Sequence, residues 1–441
     1  VSLSNFIANF LIGIALYFCV VSDIYAFEKY RVIDMKIVGD HHRTDESWIR
    51  RYLDIELPAE MEVSDLEFLR SRILTTQVFT EATLSFVPVN TDDSKDYILE
   101  IELDEKWTTI PVLRGAYGGG TPLRVVGIYD THTFGRLWTL GAEARKYGEA
   151  PWGGVAWAKA PRLLGGRHVF GFEVWRQYRE RTIYNKDDEE LGYYRSDWSL
   201  FRTLYMIPVD DAAKWKVGLD LRFRKEAPAQ FKPTARGSSS DANEIREPGE
   251  VKQFAAMPRF VYDTIAINNL NHRGVRLLGY GGPLYESDNT ASLVEGEVFY
   301  YKLFAKNKLN FAFHLKVGQT TTDSLESQYF LGGLDSVRGV PEGAIYGTRA
   351  SYSNTELRHI SLKFKHLWVQ SVAFLDAGGA GSDWKNHRRN YRSSAGLGFR
   401  ISIPKVYRLM FRFDYAWSLD DPGSGGFSAG MNQFFQPYKP L

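Results

Sequence analysis

The chain has 441 residues, a formal net charge of +1, 15% aromatic and 24% charged residues, and one cysteine. So small a net charge argues against a partner held mainly by electrostatics, nucleic acid above all, and one cysteine excludes a disulfide-stapled scaffold. The 25 Tyr, 28 Phe and 11 Trp are many for a soluble enzyme and suit a membrane barrel with aromatic girdles, although the mean hydropathy is only −0.30.

Phe6 to Val21 is a short apolar run, and Ile24-Tyr25-Ala26 reads as a cleavage site, so residues 1–26 are expected to be a secretory signal peptide. Cys19 lies inside it, which leaves the mature segment free of cysteine. After this segment no apolar run approaches the roughly 20 residues of a spanning helix.

Residues 28–106 read as a small α+β domain. Tyr30 to Val38 forms a strand that turns at Gly39-Asp40. Thr44 is placed to cap a helix with Asp45 and Glu46 in its first turn and Trp48, Ile49 and Leu53 on one face. Ser64 with Glu67 predicts a capping box, and Val63 with Phe68 a hydrophobic staple, for a second helix through Leu69, Ile73 and Leu74. Strands over Ala82–Val87 and Tyr97–Leu103 complete the order strand, helix, helix, strand, strand. His41-His42 has no third ligand near it in sequence, and no metal is expected.

From Trp107 onward alternation replaces helical periodicity. In Trp215 to Phe223 every odd-numbered residue is apolar and every even one is polar or Gly. Leu309–Gly318 and Leu409–Trp417 repeat the pattern, the latter with Arg412 and Asp414 on its polar face. Large apolar residues facing one way and charges the other fit lipid outside and water inside. Sixteen antiparallel strands are predicted, at 107–118, 122–130, 137–147, 152–160, 168–179, 193–204, 214–224, 252–265, 274–281, 291–304, 308–318, 350–360, 367–377, 390–401, 409–417 and 427–435. The fold class is therefore an all-β transmembrane barrel over 107–435, preceded by the α+β domain and followed by a tail at 436–441. The first strand and the last must be neighbours if the barrel closes, which sets Ile110–Leu113 opposite Ser428–Met431. Gly426 and Gly430 should weaken that pairing.

Two connections are long. Residues 226–251 are polar, with Gly237-Ser238-Ser239-Ser240-Asp241. Residues 319–349 carry Phe330-Leu331-Gly332-Gly333-Leu334-Asp335-Ser336-Val337-Arg338-Gly339. Gly332, Gly333 and Gly339 are suited to positive φ. An arginine in this loop can meet carboxylates on the next strands, Glu356 and Asp376, inside a barrel, where a bidentate guanidinium pins a loop. No Gly-x-Ser-x-Gly elbow, phosphate-binding loop or catalytic triad is present, so no catalytic residue and no cofactor is expected.

Val337-Arg338-Gly339, followed by Glu356 and Asp376 on successive strands, resembles the BamA/TamA-type outer-membrane assembly superfamily, whose barrel is of the bacterial surface-antigen type. Val340 stands where that family usually carries an aromatic. The resemblance implies that Arg338, Glu356 and Asp376 anchor a loop folded into the lumen. Residues 28–106 look like one POTRA domain, with Ile37-Val38-Gly39 closing its first strand. The last strand resembles the family's C-terminal signal strand through Phe427, Phe434 and Phe435. The implied setting is the bacterial outer membrane with the POTRA domain in the periplasm. The implied partners are the lipid bilayer, unfolded barrel or secreted polypeptide clients, and accessory periplasmic or outer-membrane proteins. The implied activity is insertion of barrel proteins or translocation of polypeptides through a laterally weak seam. A passive or gated channel is the alternative.

Overall fold

The computed structural model describes residues 29–437 apart from 41, 90–95, 119–120, 162, 164–167, 185–189, 211, 234–248, 269, 288, 306–307, 323, 325–326, 334, 407–408 and 422–424. The expected signal peptide at 1–26, Gly237–Asp241 and the last four residues lie outside the described part. The small domain comprises β1 (Lys29–Asp40), α1 (Glu46–Leu53), β2 (Ala59–Glu62), α2 (Val63–Thr75), β3 (Phe79–Pro88) and β4 (Asp96–Glu105). Its sheet order is β2-β1-β4-β3, with β1 and β4 parallel and the other pairs antiparallel. Trp48, Ile49, Leu53, Leu69, Ile73 and Leu74 pack on Val32, Met35, Leu99 and Ile101, so this POTRA-like unit has its own core.

Both helix starts differ from the sequence reading. The cap of α1 is Asp45, whose carboxylate accepts from the Ser47 N–H at 2.9 Å, because Thr44 is turned away to the barrel. The second helix begins two residues early, at Val63 with Glu62 as its cap, because β2 pairs with β1 up to Glu62. The Glu62 N–H therefore donates to Asp65 at 2.8 Å in place of a Ser64–Glu67 box, and Val63 and Phe68 stay more than half exposed with no staple.

The barrel strands are β5 (Thr109–Gly118), β6 (Thr121–Thr133), β7 (Trp138–Tyr147), β8 (Gly153–Ala160), β9 (Val169–Tyr184), β10 (Glu190–Pro208), β11 (Trp215–Pro233), β12 (Val251–Asp263) with its short continuation β13 (Ala266–Asn268), β14 (Asn271–Glu286), β15 (Asn289–Phe304) and β16 (Leu309–Thr320). A hairpin of β17 (Tyr329–Leu331) and β18 (Ile345–Gly347) follows inside the long connection. The wall resumes with β19 (Arg349–Lys363), β20 (Trp368–Gly381), β21 (Arg392–Ser402), β22 (Met410–Ser418) and β23 (Gly425–Met431), and α3 (Trp384–Arg389) sits between β20 and β21. Counting β12 and β13 as one, sixteen antiparallel strands close into a barrel. The side-chain period is inverted relative to a soluble sandwich. On β22, Phe411, Tyr415 and Trp417 are exposed while Arg412 and Asp414 are buried; on β11, Leu219 and Phe223 are exposed while Asp220 is fully buried. The hairpin β10–β11 runs past the predicted ends at 204 and 224, to Pro208 and Pro233, so part of the expected polar loop is strand.

The closing pair is the thinnest. Between β23 and β5 the described residues give one register pair, Ala429 with Tyr117, whereas β22–β23 and β5–β6 are paired along their lengths. The expected match of Ile110–Leu113 with Ser428–Met431 is out of register. With Ala429 opposite Tyr117, antiparallel progression brings β23 to its end at Met431 before it reaches Leu113, which is 83% exposed.

The small domain is latched to one mouth of the barrel by two turns. In the β6–β7 turn, Leu137 enters the small-domain core, and its N–H donates to Nδ1 of the fully buried His132 at 3.1 Å. That leaves Nε2–H of His132 to donate to Thr44 Oγ1 at 2.9 Å. Arg43 reaches Thr108 and Asp130, and the Asp45 N–H donates to the Gly135 carbonyl. In the β13–β14 region, the Ile267 N–H donates to Thr75 Oγ1 on α2 at 3.2 Å. Replacing His132 by Ala strands the Thr44 hydroxyl and the Leu137 N–H in a buried joint, at a cost of about 1–3 kcal/mol. Limited proteolysis of His132→Ala should therefore cut between residues 105 and 109 well before the wild type; equal rates would show that the latch does not hold the domain.

Candidate functional site

The long connection after β16 returns into the barrel because it has buried partners to satisfy. Leu331, Val337, Val340 and Ile345 form an apolar cluster with Ala350 and Ala380 of the wall. The tip is a tight turn: the Gly333 N–H donates to the Val340 carbonyl at 2.9 Å, and the Gly332 N–H donates to Ser336 Oγ at 2.6 Å. Gly339 sits at φ +81, and a Cβ there would lie 2.9 Å from that of Ala416 on β22, so only glycine fits this approach. Gly332 and Gly333 also have positive φ.

This turn aims Arg338 into the lumen, where it is fully buried. Its Nε and Nη2 donate to the two oxygens of Asp376 at 2.7 and 2.9 Å, a fork-to-fork pair, and its backbone N–H adds a bond to the same carboxylate at 3.2 Å. Nη1 donates to Glu356 at 2.7 Å and to Asp414 at 3.2 Å. The guanidinium carbon lies 3.5 Å from the ring centroid of Phe374 and 4.0 Å from that of Phe434. Ionic edges and aromatic faces are thus both occupied. Desolvated cation–π contacts of this kind contribute about 2 kcal/mol or more.

The structure brings Arg338, Glu356 and Asp376 together and adds members that the sequence reading missed. Arg400 donates to Asp414 at 2.6 Å and to Glu356 at 3.3 Å; Arg358 donates to Glu356 at 2.7 Å; Arg412 stands 3.8 Å from Asp414. Asn354 joins the Ser336 carbonyl to Asp376. The cluster holds four guanidiniums and three carboxylates, and ring faces take up the imbalance. Phe435 covers Arg358 at 4.9 Å, and Phe434 covers Arg412 at 4.7 Å. The available signal was the alternation itself: Arg358, Arg400, Arg412 and Asp414 all occupy the polar face of their strands.

Phe434 and Phe435 are not the end of the last strand. The wall stops at Met431, Asn432 takes the left-handed conformation at φ +68, and the chain turns into the lumen. Gln433 then accepts from Arg400 and donates to Gln370, and both phenylalanines are buried against the arginines. The arginine cluster offers these rings more than lipid does, which is why strand pairing yields. Phe427 alone of the three keeps the outward position expected of a strand aromatic, 48% exposed.

A loop pinned inside a sixteen-strand barrel by an arginine shared among wall carboxylates is a specific arrangement, and the Omp85 superfamily domain matches residues 139–435. The chain belongs to the Omp85 superfamily. The fold is similar to that of BamA from Haemophilus ducreyi lacking POTRA domains 1-3, at TM-score 0.53 and 16% identity, over 91% of this chain and 84% of that one. It is similar to CdiB from Acinetobacter baumannii, at TM-score 0.59 and 12% identity, over 92% and 74% of the two chains. CdiB from Escherichia coli gives TM-score 0.60 and 12% identity over 91% and 76%. A search among curated proteins found no match. Membership puts this Omp85 barrel among the outer-membrane β-barrels.

Removing one partner from so dry a cluster leaves a charge buried without compensation, at a cost of about 3–5 kcal/mol. Arg338→Ala should lower the temperature at which the barrel loses its heat-modifiable gel mobility, and Asp376→Asn should do so as well. The double variant should lose less than the sum of the two. Phe434→Leu should lower the midpoint by a smaller amount. Additive losses would show that Arg338 and Asp376 do not act as one unit.

Proposed function

We propose that this Omp85 protein assembles other polypeptides at the outer membrane, inserting β-barrel clients or passing chains across the bilayer, without catalytic chemistry or a cofactor. The observation that carries the reading is the seam. Sheet edges are templates for pairing, and the stretch of β5 from Thr109 toward Leu113 extends beyond the end of β23 at the mouth that bears the small domain. A client strand arriving at that mouth would meet a β5 edge that has no β23 partner among the described residues. Among the described residues a single register pair joins β23 to β5, against full ladders on either side, so this is the place where the wall opens at least cost.

In this reading the small domain is a POTRA domain in the periplasm, covering residues 28–106, and its sheet edge at β3 presents an extended client to the seam. Arg338, Glu356 and Asp376 fix the lumen loop, and Phe434 and Phe435 draw the chain after β23 inward, which keeps β23 short. Accessory proteins would dock on the small domain. The bilayer beside a short strand pair is the place where the insertion barrier is lowest. A gated channel is the second reading, supported by a lumen cavity of about 980 Å³ bordered by the loop at Leu331, Gly332 and Ser336.

The only cysteine of the sequence, Cys19, lies in the leader segment, so a cysteine pair can be placed without other changes. Tyr117→Cys with Ala429→Cys joins the one register pair, within reach of a disulfide. Oxidised protein should lose insertion or secretion of its clients in a reconstituted assay and regain it on reduction. Phe413→Cys with Phe399→Cys, which locks the fully paired β21–β22, should change nothing. Unimpaired client handling by the locked seam would overturn the lateral mechanism and leave the channel reading.

A further inference from the structure

The lumen has two unlike halves. One, along β19 to β23, is filled by the Arg338 cluster and the inturned Phe434 and Phe435. The other, along β10 to β16, borders the cavity of about 980 Å³. On that second wall three arginines from neighbouring strands converge on one carboxylate. Asp220 on β11 is fully buried, and Arg202 on β10 forks it through Nε at 2.9 Å and Nη2 at 2.6 Å. Arg222 forks it from the cavity side through Nε at 3.0 Å and Nη2 at 2.9 Å, and Arg259 on β12 adds Nη1 at 3.0 Å.

Three guanidiniums on one carboxylate are over-supplied with charge and with donors. Glu173 takes one further N–H of Arg202 at 3.1 Å. The nearby Glu295 is engaged by Tyr329 at 3.0 Å, by Lys316 at 2.7 Å and by Tyr280. Asp220 has both oxygens occupied. Arg259 meets a protein acceptor only through Nη1, and its buried Nε meets none. The ring of Tyr280 lies beneath both Arg222 and Arg259, at 4.9 and 5.3 Å from their guanidinium carbons, and holds their planes in place. Arg202, Arg222 and Arg259 all line the cavity, whereas Asp220 stands behind them.

We propose that Arg222 and Arg259, backed by Arg202, form a lumenal binding site for a phosphate-type oxyanion. Asp220 orients the guanidiniums from behind, and Arg222 and Arg259 border the cavity with N–H groups not spent on Asp220. Such forks match the oxygens of a phosphate group, and the anion relieves the mutual repulsion of the three cations. The cavity exceeds many times the roughly 30 Å³ that one water occupies, so the phosphate can be free or carried on a lipid headgroup. This inference stands apart from the seam reading and does not depend on it.

The test is calorimetric titration of the full chain in neutral detergent at low ionic strength with inorganic pyrophosphate as the probe. Saturable binding to one site is expected. Arg259→Gln should weaken it by about tenfold or more, and Arg259→Lys, which keeps the charge but not the fork, should fall between. Retained heat-modifiable mobility shows that each variant is folded, and the Lys variant serves if the Gln variant is not. Dihexanoyl phosphatidic acid, set against dihexanoyl phosphatidylcholine, identifies the source. Competition by the first alone assigns a headgroup, and no competition assigns free phosphate, the site standing in either case. Absence of saturable binding of pyrophosphate, or equal affinity in folded Arg259→Gln or Arg259→Lys, would overturn the proposal.

Discussion

One guanidinium organises the interior of this barrel. Arg338 carries its charge to a place with no solvent, and that is tolerable only because Asp376, Glu356 and Asp414 take its edges while Phe374 and Phe434 take its faces. These partners come from three strands and the C-terminal segment. The carboxylates stand on β19, β20 and β22, one ring is on β20, and the other lies beyond the last strand. The ion cluster therefore fixes the loop relative to three strands and the C-terminal segment at once. Satisfying Arg338 and folding the loop inward are the same event.

The seam follows from this. Phe434 serves Arg338 and Arg412, and Phe435 serves Arg358, so the chain after Met431 is held inside the lumen and cannot continue β23. The first strand keeps its full length, the last does not, and among the described residues the closing ladder shows one register pair. In physical terms the interior ion cluster is stabilised by residues that would otherwise extend the wall, and a short closing ladder is the result. The small domain sits beside that opening, held by His132 and Thr44 on one turn and by Thr75 and Ile267 on another. Its placement is thus set by buried hydrogen bonds rather than by a loose tether.

Charge is distributed in two different ways around the lumen. Beside Arg338, rings cover Arg338 itself, Arg358 and Arg412, and the volume is filled. Beside Asp220 the excess faces open space. The same residue type is structural where the lumen is filled, and borders open volume at Arg202, Arg222 and Arg259.

Much of this was legible in the sequence. Alternation along strands such as Trp215–Phe223 defined the wall and its inverted polarity, because a period of two is a local property. Arg338, Glu356 and Asp376 stood out because a loop arginine and strand carboxylates need one another wherever water is scarce. The helix faces at Trp48, Ile49 and Leu53 were equally plain. The tertiary structure alone decided the rest. Thr44 gave up its cap to meet His132, a residue 88 positions away. Asp414, Arg358, Arg400 and Arg412 joined the cluster only once curvature brought their strands around it. Phe434 and Phe435 read as strand aromatics because local pattern cannot see that buried guanidiniums across the lumen offer them better partners than lipid does. Interactions within a few residues were written in the chain order; those that depended on barrel closure were not.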